Sequence, residues 1–509
     1  MFILEAFFYL LLISIPFGTR FLIYQFTAGF HEYETAFIYL SDIILILFLI
    51  WYLTPIIWKK FGGKSEIRNP KPETNSKSQI SNSKTPITNY SRRKVGIPTS
   101  LLKNIKGASG QLLITIFLFF AFLSIFFAVS KGLAIYSFMR LALLVLMALA
   151  AARILSQPKV FKATLAIIAI LGVIQSGIGF LQFKNQGALG LKWLGESPIS
   201  VFDGGTSKII IDGACPAIPR GFCGVRVMRA YGTFPHPNIL SAFLILGLSA
   251  LYYFWLKRPS EWKIFSSFRN LISDLILGLA IFIVSFGILI SFSRAGWLIT
   301  ALMTLFIILY SLFSRYFIQA VRLGILALAV AGILFLNFND FILPRATISA
   351  EEPALTQRLT YNDLGIDLIK SNPLGVGIGN QVLYSVENRV YQKFGMDQVW
   401  QWQPIHNVYL LIASEIGILG LLAFLAFITW LLISNFQFPI FNQFSNPNKK
   451  NSKNLSLITS YLLLVTLLLF SFFDHFLWTI QSGRLMLWLA IGLTLGNTLY
   501  YNAQYENRS

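Results

Sequence analysis

Charge is scarce in this chain and negative charge scarcer: 12% of the 509 residues are Asp, Glu, Lys or Arg, with 21 acids against 41 basic residues. A soluble globular protein carries roughly twice that share, so a water-soluble domain is excluded. Histidine is limited to four residues, and no His-Glu-x-x-His pair of a zinc hydrolase occurs. The two cysteines, Cys215 and Cys223, have no second Cys or His pair at ligand spacing, which argues against a zinc site. The few acids outside the apolar runs form no paired arrangement for a divalent cation, so neither metal nor cofactor is expected. No internal repeat marks an inverted-repeat transporter. The first run, Met1 to Pro16, lacks a basic leader, carries Glu5 and shows no small-residue cleavage pattern, so a retained span is expected rather than a signal peptide.

Apolar residues are abundant, at 55%. A span needs roughly 20 apolar residues to cross about 30 Å of hydrocarbon, and about twelve such runs occur, near 2–17, 36–58, 111–129, 133–154, 159–182, 236–256, 271–291, 296–314, 321–338, 405–434, 455–474 and 477–500. The expected fold is an all-α polytopic transmembrane helical bundle. Its parts are N-terminal spans over 1–182 with a cytoplasmic loop at 60–108, an outer loop at 183–235, a core over 236–434 that includes a long, partly helical outer loop at 338–404, and a C-terminal hairpin over 435–509.

The loop between the second and third runs holds Lys59, Lys60, Arg92, Arg93, Lys94, Lys103 and Lys106 among its cations against Glu66 and Glu73, which places it inside. Its middle, Ser76 to Ser91, has too little apolar surface to offset chain ordering, so disorder and no site are expected there. Alternation then puts basic clusters on every other inner loop: Arg153 with Lys159, Lys257 with Arg258, Arg315 with Arg322, and Lys449 with Lys450. The net charge of +20 is therefore read as inner-loop charge on a bilayer protein and not as a nucleic-acid surface. Both termini come out cytoplasmic, and the loops at 183–235 and 338–404 come out together on the outer face of a bacterial inner membrane. In that oxidising medium Cys215 and Cys223, eight residues apart, are expected to form a disulfide.

Several outward residues carry candidate chemistry. His406 sits where the second outer loop meets an apolar run, and an imidazole there suits proton transfer beside a lipid-borne substrate; the plain alternative is a helix-end anchor. Arg294, between two apolar runs, and Arg229, before the sixth, lie in the same layer, where a guanidinium fork matches phosphate oxygens. The alternative for Arg294 is a cation that snorkels to lipid phosphate. Arg220 and Arg226 compete with Arg229 as the phosphate ligand. Arg358 falls in a stretch where Leu355, Leu359, Ile366 and Ile369 recur at helical spacing, which predicts an amphipathic helix along the surface ending at Asn372-Pro373. Arg140 and Arg484 lie inside apolar runs, roughly 10 Å below the outer surface at the helical rise. Groups at that depth face a cavity or a partner, and Asp42, Glu415 and Asp474 are the candidate counter-charges. Gly375, Gly377 and Gly379 read as a tight turn re-entering the membrane and not as a dinucleotide loop.

Four motifs in this order, Arg229-Ala-Tyr-Gly-Thr-Phe-Pro-His-Pro-Asn238, Ser293-Arg294-Ala-Gly-Trp297, Asn372-Pro-Leu-Gly-Val-Gly-Ile-Gly-Asn380 and His406-Asn-Val-Tyr-Leu410 followed by Glu415-Ile-Gly-Ile-Leu-Gly420, resemble the bacterial O-antigen ligase and polymerase superfamily. The resemblance covers about residues 225 to 430 and implies a membrane glycosyltransferase (GT-C-like) architecture. It implies transfer of a glycan from undecaprenyl diphosphate to a lipid- or protein-borne sugar acceptor at the outer face, without metal or nucleotide sugar, in cell-surface polysaccharide synthesis. It implies that His406 is the essential histidine and Arg229 and Arg294 the essential arginines. Together with the residue readings above, His406 and Arg294 are expected to serve catalysis, Arg229, Arg294 and Arg358 to hold the diphosphate, and Asn238, Asn407, Glu415, Arg140 and Arg484 to be supporting candidates. Ligase and polymerase remain alternatives within the superfamily. A lipid-linked glycan flippase or other transporter is a further alternative, though it needs polar groups along a path through the bilayer.

Overall fold

The computed structural model describes residues 2–28, 31–61, 108–211, 225–258, 268–314, 316–347, 353–436 and 454–506. The inner loop, both cysteines and Arg220 fall outside them, as do the expectations attached to these.

Each of the predicted apolar runs is a helix: α1 (Phe2–Ser14), α2 (Leu40–Phe61), α3 (Ala108–Leu123), α4 (Lys131–Leu155), α5 (Pro158–Asn185), α6 (Pro237–Leu256), α7 (Phe268–Ile290), α8 (Arg294–Leu312), α9 (Phe317–Ala346), and three more after the second long loop. That loop supplies α10 (Pro353–Ser371) and the short α11 (Gln381–Glu387) and α12 (Val390–Lys393) before α13 (Val408–Phe436), α14 (Asn454–Phe470), α15 (Phe476–Thr479) and α16 (Gln481–Glu506) complete the chain. Among the described residues, nine helices are long and apolar enough to cross a membrane. Leu305 on α8 and Leu328 on α9 are exposed among them, as side chains facing lipid are.

α6 is buried almost all round, 94% of its best window, because it is apolar on every face. It forms the axis of the bundle, and whatever precedes Pro237 is delivered to the middle of one end. Elsewhere small residues let helices close up: Gly492 and Gly496 of α16 lie against the backbone of Ala148 and Ala152 in α4.

Two antiparallel hairpins were not foreseen. β1 (Arg20–Gln25) pairs with β2 (Thr35–Tyr39), so the second run begins as strand and turns helical only at Leu40. β3 (Lys208–Ile211) pairs with β4 (Val225–Met228), which ends one residue before Arg229.

The predicted helix along 355–369 is α10, and it stops before Asn372-Pro373 as the proline requires. Its buried face differs from the expected one: Tyr361, Leu364 and Leu368 are buried, whereas Leu359 and Ile366 are exposed. α10 packs on α13 and on Ile405, which touches Gly365, and so it turns an aromatic-bearing face inward.

The glycine stretch forms a tight turn, as expected. Gly375, Gly377 and Gly379 have φ of 85°, 100° and 73°, values open to glycine without strain. The turn docks on a break in α13 at Gly417, where Val376 and Gly377 donate to the carbonyls of Ser414 and Glu415, each at 2.9 Å, and Ile418 donates to that of Pro373 at 3.0 Å. Those α13 carbonyls, freed by the break, thus find partners. A Cβ on Gly377 would collide with Ala128, so Gly377→Ala should destabilise the protein by about 1–3 kcal/mol. Thermal unfolding in detergent checks this, and an unchanged midpoint would mean that the turn is not seated as described.

Candidate active site

Arg229 is placed by its backbone and by the turn after α7. Its N–H donates to Ser207 O at 3.2 Å, extending the β3–β4 ladder, and the next residue, Ala230, donates to Ile290 O at 3.0 Å. The turn itself is held by Phe292, a non-glycine at φ 47° whose ring is buried beside Phe183, Trp297 and Phe341. Such strain persists only where packing fixes it, and it leaves the carbonyl of Ser291 pointing at Arg229, whose Nε donates to it at 2.7 Å.

From there a buried chain of hydrogen bonds crosses the bundle end. Arg229 Nη2 donates to Asn238 Oδ1 at 2.9 Å, and Asn238 Nδ2 donates to Asp474 Oδ2 at 2.7 Å. The other carboxylate oxygen accepts from the His475 N–H at 2.8 Å. The His475 ring meets His406 edge to face, with centroids 4.9 Å apart, and His406 stacks on Tyr361 at 4.7 Å. Thus the start of α6, the α14–α15 turn, α10 and the residue before the cap of α13 converge.

His406 is not the cap of α13. Asn407 does that, its side chain accepting from the N–H groups of Tyr409 and Leu410 at 2.9 and 3.2 Å. His406 Nδ1 lies 3.0 Å from Pro404 O, which as acceptor fixes the proton on Nδ1 and leaves Nε2 as the ring's acceptor. Burial, with the neighbouring His475 and Arg358 against it, lowers the His406 pKa to about 3. Burial does the same for His236, which caps α6 by accepting from Asn238 N at 3.2 Å, and lowers His475 as well. Asp474 is held well below the usual carboxylate range by the three histidines and Arg358 around it, against the cost of its burial. Arg229 falls to about 9 through burial and the nearby Arg345 and Arg358, and still carries its charge at neutral pH. Its Nη1 has no hydrogen-bond partner among the described residues.

Of the predicted residues, the structure brings together Arg229, Asn238, Arg358, His406 and Asn407. Arg226 is exposed on β4 and apart from the cluster. Arg294 sits one layer away: its Nε and Nη2 donate to the carbonyls of Arg345 and Thr347 at 2.5 and 3.0 Å. It thereby ties down the end of α9 and the Arg345 it carries. Arg140 and Arg484 are below, in a separate cavity with Glu415.

Asp474 is a correction. Considered as a counter-charge for Arg140 or Arg484, it serves the histidines and Asn238 instead, while Arg140 takes Asp42 at 3.3 Å. Sequence reasoning also missed His236, His475 and Arg345. The signal for His475 was present: a polar Asp-His pair between the last two apolar runs, on the side that alternation assigns to His406.

Fold and site define a multi-pass helical membrane protein with a buried cluster of arginines and histidines at one end of its bundle. Residues 279–425 match the family model described as O-antigen ligase. The match includes Arg294, Arg358 and His406, whereas Arg229, Asn238, Asp474 and His475 lie outside it. No curated protein and no solved structure matches the chain.

The buried histidines make the fold acid-sensitive. Unfolded, they bind protons near 6.5; folded, His236 and His406 do so near 3. Between those values the unfolded state holds more protons, so their contribution is complete above 6.5 and lost as pH falls toward 3. The unfolding midpoint should drop between neutral pH and about pH 4, and less steeply in His236→Gln. A midpoint flat across that window would show that these rings are hydrated.

Proposed function

We propose that this protein transfers a preassembled glycan from undecaprenyl diphosphate to a hydroxyl of an acceptor sugar at the outer face of the bacterial inner membrane, in cell-surface polysaccharide synthesis. The observation that carries this reading is the convergence of Arg229, Arg358, Asp474 and His406, from four distant segments, in one cluster at the bundle end. The family of residues 279–425 fits the same chemistry.

In the reaction the acceptor oxygen attacks the anomeric carbon, forming the new glycosidic bond as the bond from that carbon to the diphosphate oxygen breaks. His406 Nε2 accepts the hydroxyl proton and later passes it to solvent or to the departing diphosphate. The diphosphate gains negative charge as it leaves, and Arg229 and Arg358, with Arg345 beside them, supply a fixed positive field there, without need of a cation. Arg294 supports that field by holding Arg345 in place. The lipid-facing helix surfaces accommodate the polyprenyl chain.

Purified protein in nanodiscs, given diphosphate-linked oligosaccharide and candidate acceptors with chelator present, should produce transfer. His406→Ala should reduce it by on the order of 10²-fold or more while carrier binding persists, and Arg229→Gln should weaken carrier binding as well. A single product size marks a ligase and a ladder marks a polymerase. Full transfer by His406→Ala, or an absolute need for added metal, would overturn the mechanism.

A further inference from the structure

We infer that the cavity beside the histidine cluster is the subsite for the acceptor's sugar ring, with Arg484 as its principal hydrogen-bond donor. The inference rests on the transfer reaction proposed above for its name as the acceptor subsite, and on the cavity alone for sugar binding.

β2 and the turn at Glu32 roof the cavity, and α4, α11 and α16 wall it. Its contents are unusual for a helical interior: Tyr39, Tyr136, Trp478 and Trp488 share the lining with Glu415 and Arg484. Flat aromatic faces beside charge-assisted donors and acceptors match a sugar ring, which offers C–H faces and hydroxyl edges.

Most charges there are already satisfied. Arg140 pairs with Asp42 at 3.3 Å and also donates to the Phe37 carbonyl and to Gln481. Glu32 pairs with Arg20 at 2.6 Å. Glu415 accepts from Trp478 Nε1 at 2.8 Å, keeping one carboxylate oxygen fixed. Arg484 is the exception: its Nε donates to Trp478 O at 2.5 Å, while Nη1 and Nη2 make no hydrogen bond among the described residues. A guanidinium so deep in the bundle is costly unless its donors are met, and hydroxyl oxygens of a bound sugar would meet them. Glu415 across the cavity balances the charge, which favours a neutral ring over an acidic one.

Position supports an acceptor over a donor role. The cavity adjoins the histidine cluster: Pro404, whose carbonyl holds His406, lines it, as do Thr479, bonded to the His475 ring, and Tyr33, whose ring meets His475 edge to face at 5.7 Å. The arginines around Arg229 lie on the other side of Asp474 and His475, as a leaving diphosphate requires.

Saturation-transfer NMR on the nanodisc-embedded protein, with the methyl glycosides of glucose, galactose and N-acetylglucosamine as probes, tests the subsite without measuring transfer. At least one glycoside should bind saturably to the wild-type protein, and Arg484→Gln should weaken it by about tenfold or more. Leu141→Phe, which narrows the cavity and alters no charge, should weaken it too and serves as the test if Arg484→Gln does not fold. Arg226→Gln, an exposed site on β4, should leave it unchanged. No binding of any glycoside, or binding kept in both Arg484→Gln and Leu141→Phe, would overturn the subsite. Binding without transfer in the assay of the preceding section would leave the sugar site standing and remove the proposed reaction.

Discussion

The bundle end depends on one buried bridge, Arg229 to Asn238 to Asp474. Arg229 is 6% exposed and Asp474 equally so, and isolated charges that deep would be prohibitive. A direct salt bridge would solve the problem by spending the cation on the carboxylate. Interposing a neutral amide does something else: Asn238 accepts from one and donates to the other, so both charges are solvated while Arg229 keeps a donor nitrogen in hand. Because Asn238 begins α6, the most enclosed helix of the fold, the bridge is anchored to the part of the molecule least able to move. The placement of His475, and through it His406, follows from the carboxylate that this bridge fixes.

The same segment divides two electrostatic regimes. On the side of Arg484 the charges come in near-balanced sets, Arg140 with Asp42 and Arg484 opposite Glu415. On the side of Arg229, Asp474 faces Arg229, Arg345 and Arg358, and the positive excess is felt by the histidines as a pressure against protonation. Neutral surroundings suit an uncharged sugar, whereas a positive excess suits a polyanion. The partition between the two is built from α15 and its flanks, a few residues that touch both.

Much of this was legible in the sequence, and what was not has physical causes. Apolar run length fixed the helices because the bilayer leaves the backbone few other solutions, and loop charge with alternation grouped His406, Arg229 and Arg358 at one end. Depth along a helix was legible for Arg140, but azimuth was not: the helical rise says how far down a residue lies, and only packing says which neighbour it faces. That is why Asp42 emerged correctly among the counter-charges of Arg140 while Asp474 did not belong with them. The inward face of α10 was misjudged for a related reason. Leu359 and Ile366 outrank Tyr361 in hydrophobicity, yet the helix packs against a loop whose Gln401 carbonyl accepts the Tyr361 hydroxyl and whose His406 stacks on its ring. The hairpins left no trace because strands this short, in segments of mixed polarity, have no room to show a period.

The weak basicity of His406 is the feature that at first sight counts against a role in proton transfer, since a group titrating near 3 holds a proton poorly. Its causes have different fates. Burial and the neighbouring His475 are permanent, but the smaller opposition from Arg358 is a field that a bound anion would offset. In the proposed reaction a diphosphate seated between the arginines and the imidazole would reverse the sign of that contribution, and the pKa of His406 would climb toward the range of an effective base. In that reaction the carrier itself would raise the basicity that its own glycan transfer requires.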